Sequence, residues 1–156
     1  MKLCNFIIKS SIIKNLKSTD KKGAIVELVE ATKNAHKSEK IKSAEVVDLL
    51  MKREKIGSTG IGNMIAVPHV KIEGIKSVIG AFGRSINGID FNSIDGELVH
   101  VIFLILAPVD APESNLQALR RISQATRQPN FCKFLIEAKD VGEIYSLFKE
   151  FDEVLN

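Results

Sequence analysis

The chain is poor in aromatic and sulfur-containing residues. Its 156 residues include no tryptophan, one tyrosine and two cysteines. So few aromatic side chains leave little surface on which nucleic-acid bases could stack. Cys4 and Cys132 are far apart and stand in no spacing that is typical of a zinc site. We therefore expect no metal site, no nucleic-acid partner and two free thiols in a reducing compartment.

Long apolar runs and a dominant charge are also missing. The apolar run within residues 1–10 is too short for a signal peptide, and no stretch approaches the roughly 20 residues that cross a bilayer. Twenty-two basic residues against 19 acidic ones give a net charge of +3, and this mixture is typical of a solvated surface. We expect a cytoplasmic protein in which residues 1–156 form one domain.

Glycine, in contrast, is concentrated in one segment. Residues 57–71, GSTGIGNMIAVPHVK, contain three glycines in their first six positions. Glycine permits left-handed backbone and lets N–H groups approach a ligand closely. Pro68 then ends a short apolar run and rigidifies the backbone just before His69. A loop that could hold an anion next to a rigidly presented imidazole suggests phosphate chemistry on histidine.

His69 is the candidate nucleophile of this segment. A neutral imidazole can attack a phosphoryl group and hold it as a reactive phosphoramidate. The remaining task is to position and stabilise the phosphoryl oxygens. Suitable donors are the N–H groups from Ser58 to Gly60, the hydroxyls of Ser58 and Thr59, and the guanidinium of Arg53.

Other interpretations of these residues stay open at this point. A histidine after proline is often structural, and Arg53 could be a solvated cation at a helix end. His100, within an apolar strand, is either a core histidine or a neighbour of His69. Nucleotide binding is disfavoured, because the glycines form neither a G-x-x-x-x-G-K-[ST] loop nor a strand-first G-x-G-x-x-G motif.

Apolar periodicity predicts helices in the first third of the chain. Capping candidates at 18–20 precede a helix whose buried face consists of Ala24, Ile25, Leu28, Val29 and Thr32. A second helix is predicted to begin near Ser43 and to end near Lys55, just before the glycine loop. Its predicted buried stripe is Val46, Val47, Leu49 and Leu50.

The middle of the chain has the pattern of strands. A short strand is possible at Ile12 and Ile13, and a longer one is predicted over 77–84, ending at an Asn87-Gly88 turn. Asp95-Gly96 is a second turn signal. The run 98–107 is almost wholly apolar, which indicates a central strand covered on both faces.

The last third is predicted to be helical. A helix capped by Ser114 or Asn115 is expected to bury Leu116, Leu119 and Ile122 and to expose Arg120, Arg121 and Arg127. A short helix is predicted around 131–135, and Asp140 with Glu143 predicts the start of the last one. Helices before, between and after strands predict a three-layer α/β/α sandwich with a central mixed β-sheet.

Two blocks of sequence carry a resemblance to a known family. Residues 51–63, MKREKIGSTGIGN, and then Ala66-Val67-Pro68-His69 resemble the signature of phosphotransferase-system (PTS) enzyme IIA domains of the fructose/mannitol class, which includes the nitrogen-regulatory IIA proteins. Residues 96–108 resemble a second block of that family. The similarity runs over nearly the whole chain.

The resemblance implies a function and partners. His69 would receive a phosphoryl group from the histidine of HPr and pass it to a cysteine of a IIB domain, and Arg53 would help to hold it. The chain would then be a phosphotransferase that needs no cofactor and meets a membrane only indirectly, through a IIB/IIC transporter. The alternative is a nitrogen-regulatory module whose phosphorylation state controls binding to a regulatory or transport target.

The chain departs from the family pattern at three positions. Met64 stands where many members have glycine, and Val70 stands where glycine or alanine is common. Asn115 occupies the position at which many members carry a second active-site histidine. An asparagine can still donate a hydrogen bond to a phosphoryl oxygen, although it brings no charge. We expect phosphorylation of His69 to survive these changes; a fold that only binds an anion is the remote alternative.

Overall fold

The computed structural model describes residues 1–155. The helices are α1 (Leu3–Phe6), α2 (Lys21–Ala35), α3 (Ser43–Ile56), α4 (Pro112–Thr126), α5 (Phe131–Glu137) and α6 (Val141–Val154), with one 3-10 turn at Lys9–Ser11. The strands are β1 (Ile12–Ile13), β2 (Gly60–Gly62), β3 (Ile65–Ala66), β4 (His69–Ile72), β5 (Ile79–Ile89) and β6 (Val99–Pro108).

The six strands form one mixed sheet centred on β6. The strand order is β1-β5-β6-β3-β2, and β4 also pairs with β6. Strands β3 and β4 run parallel to β6, whereas β5 runs antiparallel to it. The prediction that the apolar run 98–107 forms a central strand is confirmed.

Each face of the sheet is covered by its own helices. Alternate residues of β6 point to opposite faces, so Val101, Phe103 and Ile105 join one apolar cluster while Ile102 and Leu104 join the other. The first cluster also takes side chains from α1, α4, α5 and α6, and the second takes them from α2 and α3. The predicted three-layer α/β/α sandwich is therefore confirmed.

Helix ends follow local capping chemistry. The carboxylate of Asp20 accepts the N–H of Gly23 at 2.7 Å, which caps α2. Asp140 accepts the N–H of Glu143 at 2.9 Å at the start of α6. All five residues predicted for the buried face of α2 are buried. For these helices, the information needed to start and orient them is local.

Several predictions of local structure were wrong. Asn87-Gly88 does not end a strand: β5 continues to Ile89, and its register with β6 shifts between Arg84 and Ile89, with Gly88 at a φ of +84°. Helix α4 begins at Pro112 rather than after a Ser114 or Asn115 cap. A bulge uses the same left-handed glycine conformation as a hairpin turn, so the dipeptide alone does not distinguish them.

Burial on α3 and α4 also differs from the prediction. Leu49 is 40% exposed and Leu116 is 57% exposed, whereas Arg121 is buried. Arg121 pairs with Asp152 of α6 at 2.9 Å, so a distant carboxylate compensates for the burial of its charge. Within residues 1–155 no helix combines the length and the apolar character needed to span a bilayer.

Candidate active site

The end of α3 presents Arg53 to the loop next to it. Arg53 Nη1 donates a hydrogen bond to the carbonyl oxygen of Gly57 at 2.8 Å, one turn further along the chain. This bond satisfies one carbonyl at the helix C-terminus, where a cation is also favoured by the helix dipole. It occupies one of the five N–H donors of the guanidinium and holds the side chain over the loop.

Glu54, the next residue, anchors the loop from the other side. Its carboxylate accepts hydrogen bonds from the N–H of Thr59 at 3.2 Å and from the Thr59 hydroxyl. Lys21 of α2 completes the set, with 2.9 Å between Nζ and Oε1. Both donors of Thr59 therefore bind protein groups rather than facing a ligand.

Ser58 and Gly60 also bond to the protein itself. The Ser58 hydroxyl donates to the carbonyl of Phe91 and accepts the N–H of Gly60 at 2.9 Å. A Cβ at Gly60 would lie 2.2 Å from Oγ and 3.1 Å from Cα of Ser93, so the close approach of the 91–93 loop favours glycine there. The glycine loop is thus held by internal hydrogen bonds, and its predicted cradle of free N–H groups from Ser58 to Gly60 is correspondingly reduced.

Strand β4 sets the position of His69. His69 lies opposite Ile105 of β6 in parallel register, so its side chain lies on the sheet face that α4 covers. Nδ1 of His69 is 2.7 Å from the carbonyl oxygen of Val67. A carbonyl can only accept, so the neutral ring carries its proton on Nδ1 and leaves a lone pair on Nε2.

His69 and Arg53 line the same cavity, which has a volume of about 260 Å³. Its wall is formed by Ser58, Thr59, Ile61, Val67, Leu119, Ile122 and Ser123. Arg53 is the one ionised side chain in this lining among residues 1–155. A small cavity with one cation, the hydroxyl of Ser123 and an imidazole is suited to an anion that reacts with the ring.

The structure brings four of the seven predicted site residues to this cavity. His69, Arg53, Ser58 and Thr59 line it, whereas Gly60, in β2, does not. A larger groove, of about 780 Å³, lies elsewhere between α5 and α6 and contains none of the seven.

Asn115 lies near the cavity without lining it. It precedes Leu119 by four residues on α4, and residues at this spacing share one helix face. Its Oδ1 is buried and has no hydrogen-bond partner among residues 1–155.

His100 lies away from the cavity. It precedes Ile105, the partner of His69, by five residues along β6, which at about 3.3 Å per residue separates the two histidines by roughly 16 Å along the sheet. Its Nδ1 is 2.8 Å from the carbonyl oxygen of Ser85. Of the two interpretations open from the sequence, the one that places His100 near His69 does not fit this position, and His100 does not line the cavity.

Sequence reasoning missed Ser123 and Glu54. Ser123 lies eight residues after Asn115 on α4, so the helical repeat could have identified it. Glu54 is an acidic residue in the last turn of a helix, where the dipole disfavours negative charge. That unfavourable position was a signal that Glu54 needs partners from outside the helix.

The cysteines are remote from this chemistry. Both are free, and burial raises the pKa of each thiol to about 11, with the carboxylate of Asp152 also raising that of Cys4. Thiols with such pKa values stay protonated and weakly reactive near neutral pH. Among residues 1–155 no group of three or more His, Cys, Asp or Glu side chains could hold a metal ion.

Known proteins resemble this chain over most of its length. A nitrogen regulatory protein of Bradyrhizobium diazoefficiens is 36% identical over 147 residues, which cover 94% of each chain. The PTS fructose-specific EIIABC component of Bacillus subtilis is 33% identical over 153 residues, which are 98% of this chain but 24% of that longer protein.

Solved structures of other proteins share the fold of this chain. The nitrogen regulatory protein IIA-Ntr from Neisseria meningitidis has a TM-score of 0.82 at 28% identity, covering 92% of this chain and 97% of that one. IIA mannitol from Escherichia coli shares the fold, with a TM-score of 0.71 at 22% identity and coverage of 89% and 96%. Residues 5–151 match the EIIA 2 family of the phosphoenolpyruvate-dependent sugar phosphotransferase system. The chain therefore belongs to this EIIA 2 family, which carries out phosphotransfer.

Proposed function

We propose that the chain is one EIIA type 2 domain that carries a phosphoryl group on Nε2 of His69. The Nε2 lone pair attacks the phosphorus of phospho-HPr, forming a new N–P bond. The N–P bond to the HPr histidine breaks, and its electron pair stays on the departing imidazole. In the next step a cysteine thiolate of a IIB domain takes the phosphoryl group, and the electron pair of the His69 N–P bond returns to Nε2.

The hydrogen bond between His69 Nδ1 and the Val67 carbonyl carries this proposal. Its 2.7 Å length requires a proton on Nδ1. The nucleophilic lone pair is thereby on Nε2 before the donor arrives, and no tautomer exchange is needed. When the ring becomes phosphorylated it gains positive charge, and the same carbonyl stabilises that charge.

Arg53 and the hydroxyl of Ser123 would stabilise the phosphoryl group during transfer. Arg53 shares the cavity with His69 and uses only Nη1 on the Gly57 carbonyl. The other N–H donors of the guanidinium can bind phosphoryl oxygens, on which negative charge is spread during transfer. The hydroxyl of Ser123 is a further candidate donor from α4.

A IIB domain as acceptor is supported by the family. A structural neighbour with a TM-score of 0.72 and 20% identity is the enzyme IIAMTL of Escherichia coli, solved in complex with phosphorylated enzyme IIBMTL. A fructose-specific EIIA component of Haloferax volcanii is 31% identical over 130 residues. Transfer toward uptake of a sugar or sugar alcohol is therefore our first candidate role.

A nitrogen-regulatory role is the second candidate. The observation that favours it is the 36% identity to a nitrogen regulatory protein that this chain matches over 94% of both lengths. In this role the phosphoryl group on His69 would change the charge of one surface site and thereby control binding to a target protein.

The first experiment is a phosphotransfer assay. The protein is incubated with phosphoenolpyruvate, enzyme I and HPr, and its intact mass and the acid lability of the adduct are measured. The chain has three histidines, so His69→Ala is compared with His100→Asn. We expect an acid-labile adduct on wild type and His100→Asn but not on His69→Ala. An adduct on folded His69→Ala would contradict the proposal. So would the absence of an adduct on wild type with active HPr, a result that would leave a fold that only binds an anion.

The two roles differ in the fate of the phosphoryl group once His69 carries it. Phosphorylated protein is mixed with a IIB domain encoded beside its gene, and loss of the adduct is monitored by mass. Adjacent IIB and IIC genes together with rapid loss of the phosphoryl group support transport. Absence of such genes, together with a target that binds only one phosphorylation state, supports regulation.

A further inference from the structure

Glu54 is a buried carboxylate whose partners all lie outside its own helix. Its side chain is 3% exposed, and burial of a charge is costly unless the charge is paired and hydrogen-bonded. Lys21 provides the opposite charge at 2.9 Å, and Thr59 provides two hydrogen-bond donors. Since the C-terminal position on α3 also disfavours negative charge, an acid here has a cost that its contacts must offset.

The contacts of Glu54 continue to the candidate nucleophile. Thr59, held by Glu54 at both its N–H and its hydroxyl, accepts the N–H of Val67 on its carbonyl at 3.0 Å. Val67 in turn accepts the Nδ1 proton of His69 on its own carbonyl at 2.7 Å. Glu54, Thr59, Val67 and His69 thus form a continuous series of hydrogen bonds from the end of α3 to the imidazole.

We propose that Glu54 is a positioning residue for phosphoryl transfer. Through Thr59 and Val67 it holds His69 in the Nδ1–H tautomer and so keeps the lone pair of Nε2 directed at the cavity. This inference rests on the proposed phosphorylation of His69. Glu54 does not line the cavity, and its hydrogen bonds go to Lys21 and Thr59 rather than to His69.

An ionised carboxylate suits this position better than an amide. Two acceptor oxygens receive the Thr59 N–H, the Thr59 hydroxyl and the Lys21 ammonium at once. Glutamine has one acceptor oxygen, and its NH₂ group can only donate, so the bond with the Thr59 hydroxyl would have to reverse its direction. The substitution Glu54→Gln therefore preserves the volume of the side chain while removing the negative charge that pairs with Lys21 and that the Thr59 hydroxyl donates to.

The ion pair of Lys21 and Glu54 also joins α2 to the glycine loop. Lys21 Nζ lies 5.1 Å from the ring centroid of Phe91, a distance at which cation and ring attract each other. The carbonyl of Phe91 accepts the hydroxyl of Ser58, which lines the cavity. The ion pair of Lys21 and Glu54 therefore restrains the two cavity residues Ser58 and Thr59.

A matched control variant distinguishes a positioning role of Glu54 from a merely structural one. Arg121 and Asp152 form a second buried ion pair with the same 2.9 Å distance, between α4 and α6. Asp152 also accepts the N–H groups of Leu3 and Cys4 and does not line the cavity of His69. Asp152→Asn therefore weakens the fold without acting on the Val67 carbonyl.

The experiment measures the tautomer of His69 directly. Full-length protein with ¹⁵N-labelled histidine is studied by two-bond ¹H–¹⁵N NMR, with the His69 signal assigned from His69→Ala. Wild type and Asp152→Asn are expected to show the Nδ1–H form. Glu54→Gln is expected to gain a measurable Nε2–H population and to take the phosphoryl group from HPr on the order of tenfold more slowly, as misplacement of a reacting group does.

Two results would overturn the inference. One is Glu54→Gln with the wild-type tautomer, whatever its rate; the other is an equal tautomer change in Asp152→Asn, which would mean that any loss of stability alters His69. If Glu54→Gln does not fold, Thr59→Val takes its place, because it removes only the hydroxyl contact with Glu54. This variant must also gain Nε2–H tautomer of His69. The tautomer is measured without HPr, so failure of wild type to accept a phosphoryl group would reject the proposed function and not this arrangement.

Discussion

Arg121 and Asp152 form a buried ion pair, with 2.9 Å between Nη2 and Oδ1 and side chains that are 8% and 5% exposed. The two carboxylate oxygens of Asp152 also accept the N–H groups of Leu3 and Cys4 at 2.8 and 3.0 Å. One side chain of α6 thus connects α4 to the first turn of the chain.

Asp152→Ala is expected to lower the free energy of unfolding by about 3 to 5 kcal/mol, because it leaves Arg121 buried without its partner charge. Urea unfolding at neutral pH measures this loss. Asp48→Ala is the control, since it breaks the exposed pair with Lys52, whose side chains are 68% and 64% exposed, and should change stability little. Similar losses in the two variants would contradict the prediction.

Met64→Gly is expected to stabilise the protein by about 0.5 to 1 kcal/mol. Met64 has a φ of +68°, a conformation that costs a non-glycine residue about 1 to 2 kcal/mol. Replacing Met64 by glycine removes this cost, but glycine has greater freedom in the unfolded chain, which offsets roughly 0.5 to 1 kcal/mol of the gain. Asn63→Gly, at a φ of +55°, should gain less because asparagine tolerates this region. Thermal unfolding that ranks the two variants in the opposite order would refute this account.

His36 is expected to make the protein less stable in mild acid. Burial lowers its pKa below the ordinary 6.5, although a backbone group of Gly80 and the carboxylate of Glu39 act in the opposite direction. Nε2 of His36 is buried and has no hydrogen-bond partner among residues 1–155. The unfolded chain then binds a proton more readily than the folded one, so the free energy of unfolding falls as pH drops below about 6.5.

The measurement for His36 is urea unfolding at two pH values, about 7.5 and about 5.5, which lie above and below the ordinary histidine pKa. His36→Gln should remove part of the difference between these two values, because glutamine does not titrate. If the variant and wild type lose equal stability between the two pH values, His36 is not the group responsible.

Arg53→Lys is expected to slow phosphorylation by HPr on the order of tenfold, while leaving the melting temperature nearly unchanged. Lysine cannot donate to Gly57 and to phosphoryl oxygens at once in the planar arrangement of a guanidinium. The rate is measured by single-turnover transfer from phospho-HPr. Arg127→Lys, at an exposed position near the end of α4, is the control and should transfer at the wild-type rate. An unchanged rate in Arg53→Lys would remove Arg53 from the site.

Asn115→His is expected to speed the transfer severalfold. An imidazolium at this position, one turn before Leu119 on the same face of α4, could donate a charge-assisted hydrogen bond to a phosphoryl oxygen. Leu116→His places the same group at the neighbouring position, which is 57% exposed, and should have no effect. A slower or unchanged rate in Asn115→His would mean that this scaffold does not use a second histidine.

Much of this fold is dictated by short stretches of sequence. The buried face of α2, the Asp20 and Asp140 caps and the central strand β6 depend on neighbouring residues. Periodicity and capping are local properties, so one sequence is enough to predict them. The juxtaposition of Arg53, Ser58, Thr59 and His69 is predictable for the same reason, because the helix, loop and strand that carry them are nearly consecutive.

Other features were decided only by the tertiary structure. The sheet face taken by His69, and its separation from His100 along the sheet, depend on the pairing of β4 with β6. The burial of Arg121 depends on Asp152, 31 residues away, and the role of Glu54 depends on Lys21. The sequence by itself therefore determined most of the helices, the central strand and the candidate nucleophile. Strand register and long-range charge pairing determined which side chains meet, because these contacts join segments whose local patterns carry no information about each other.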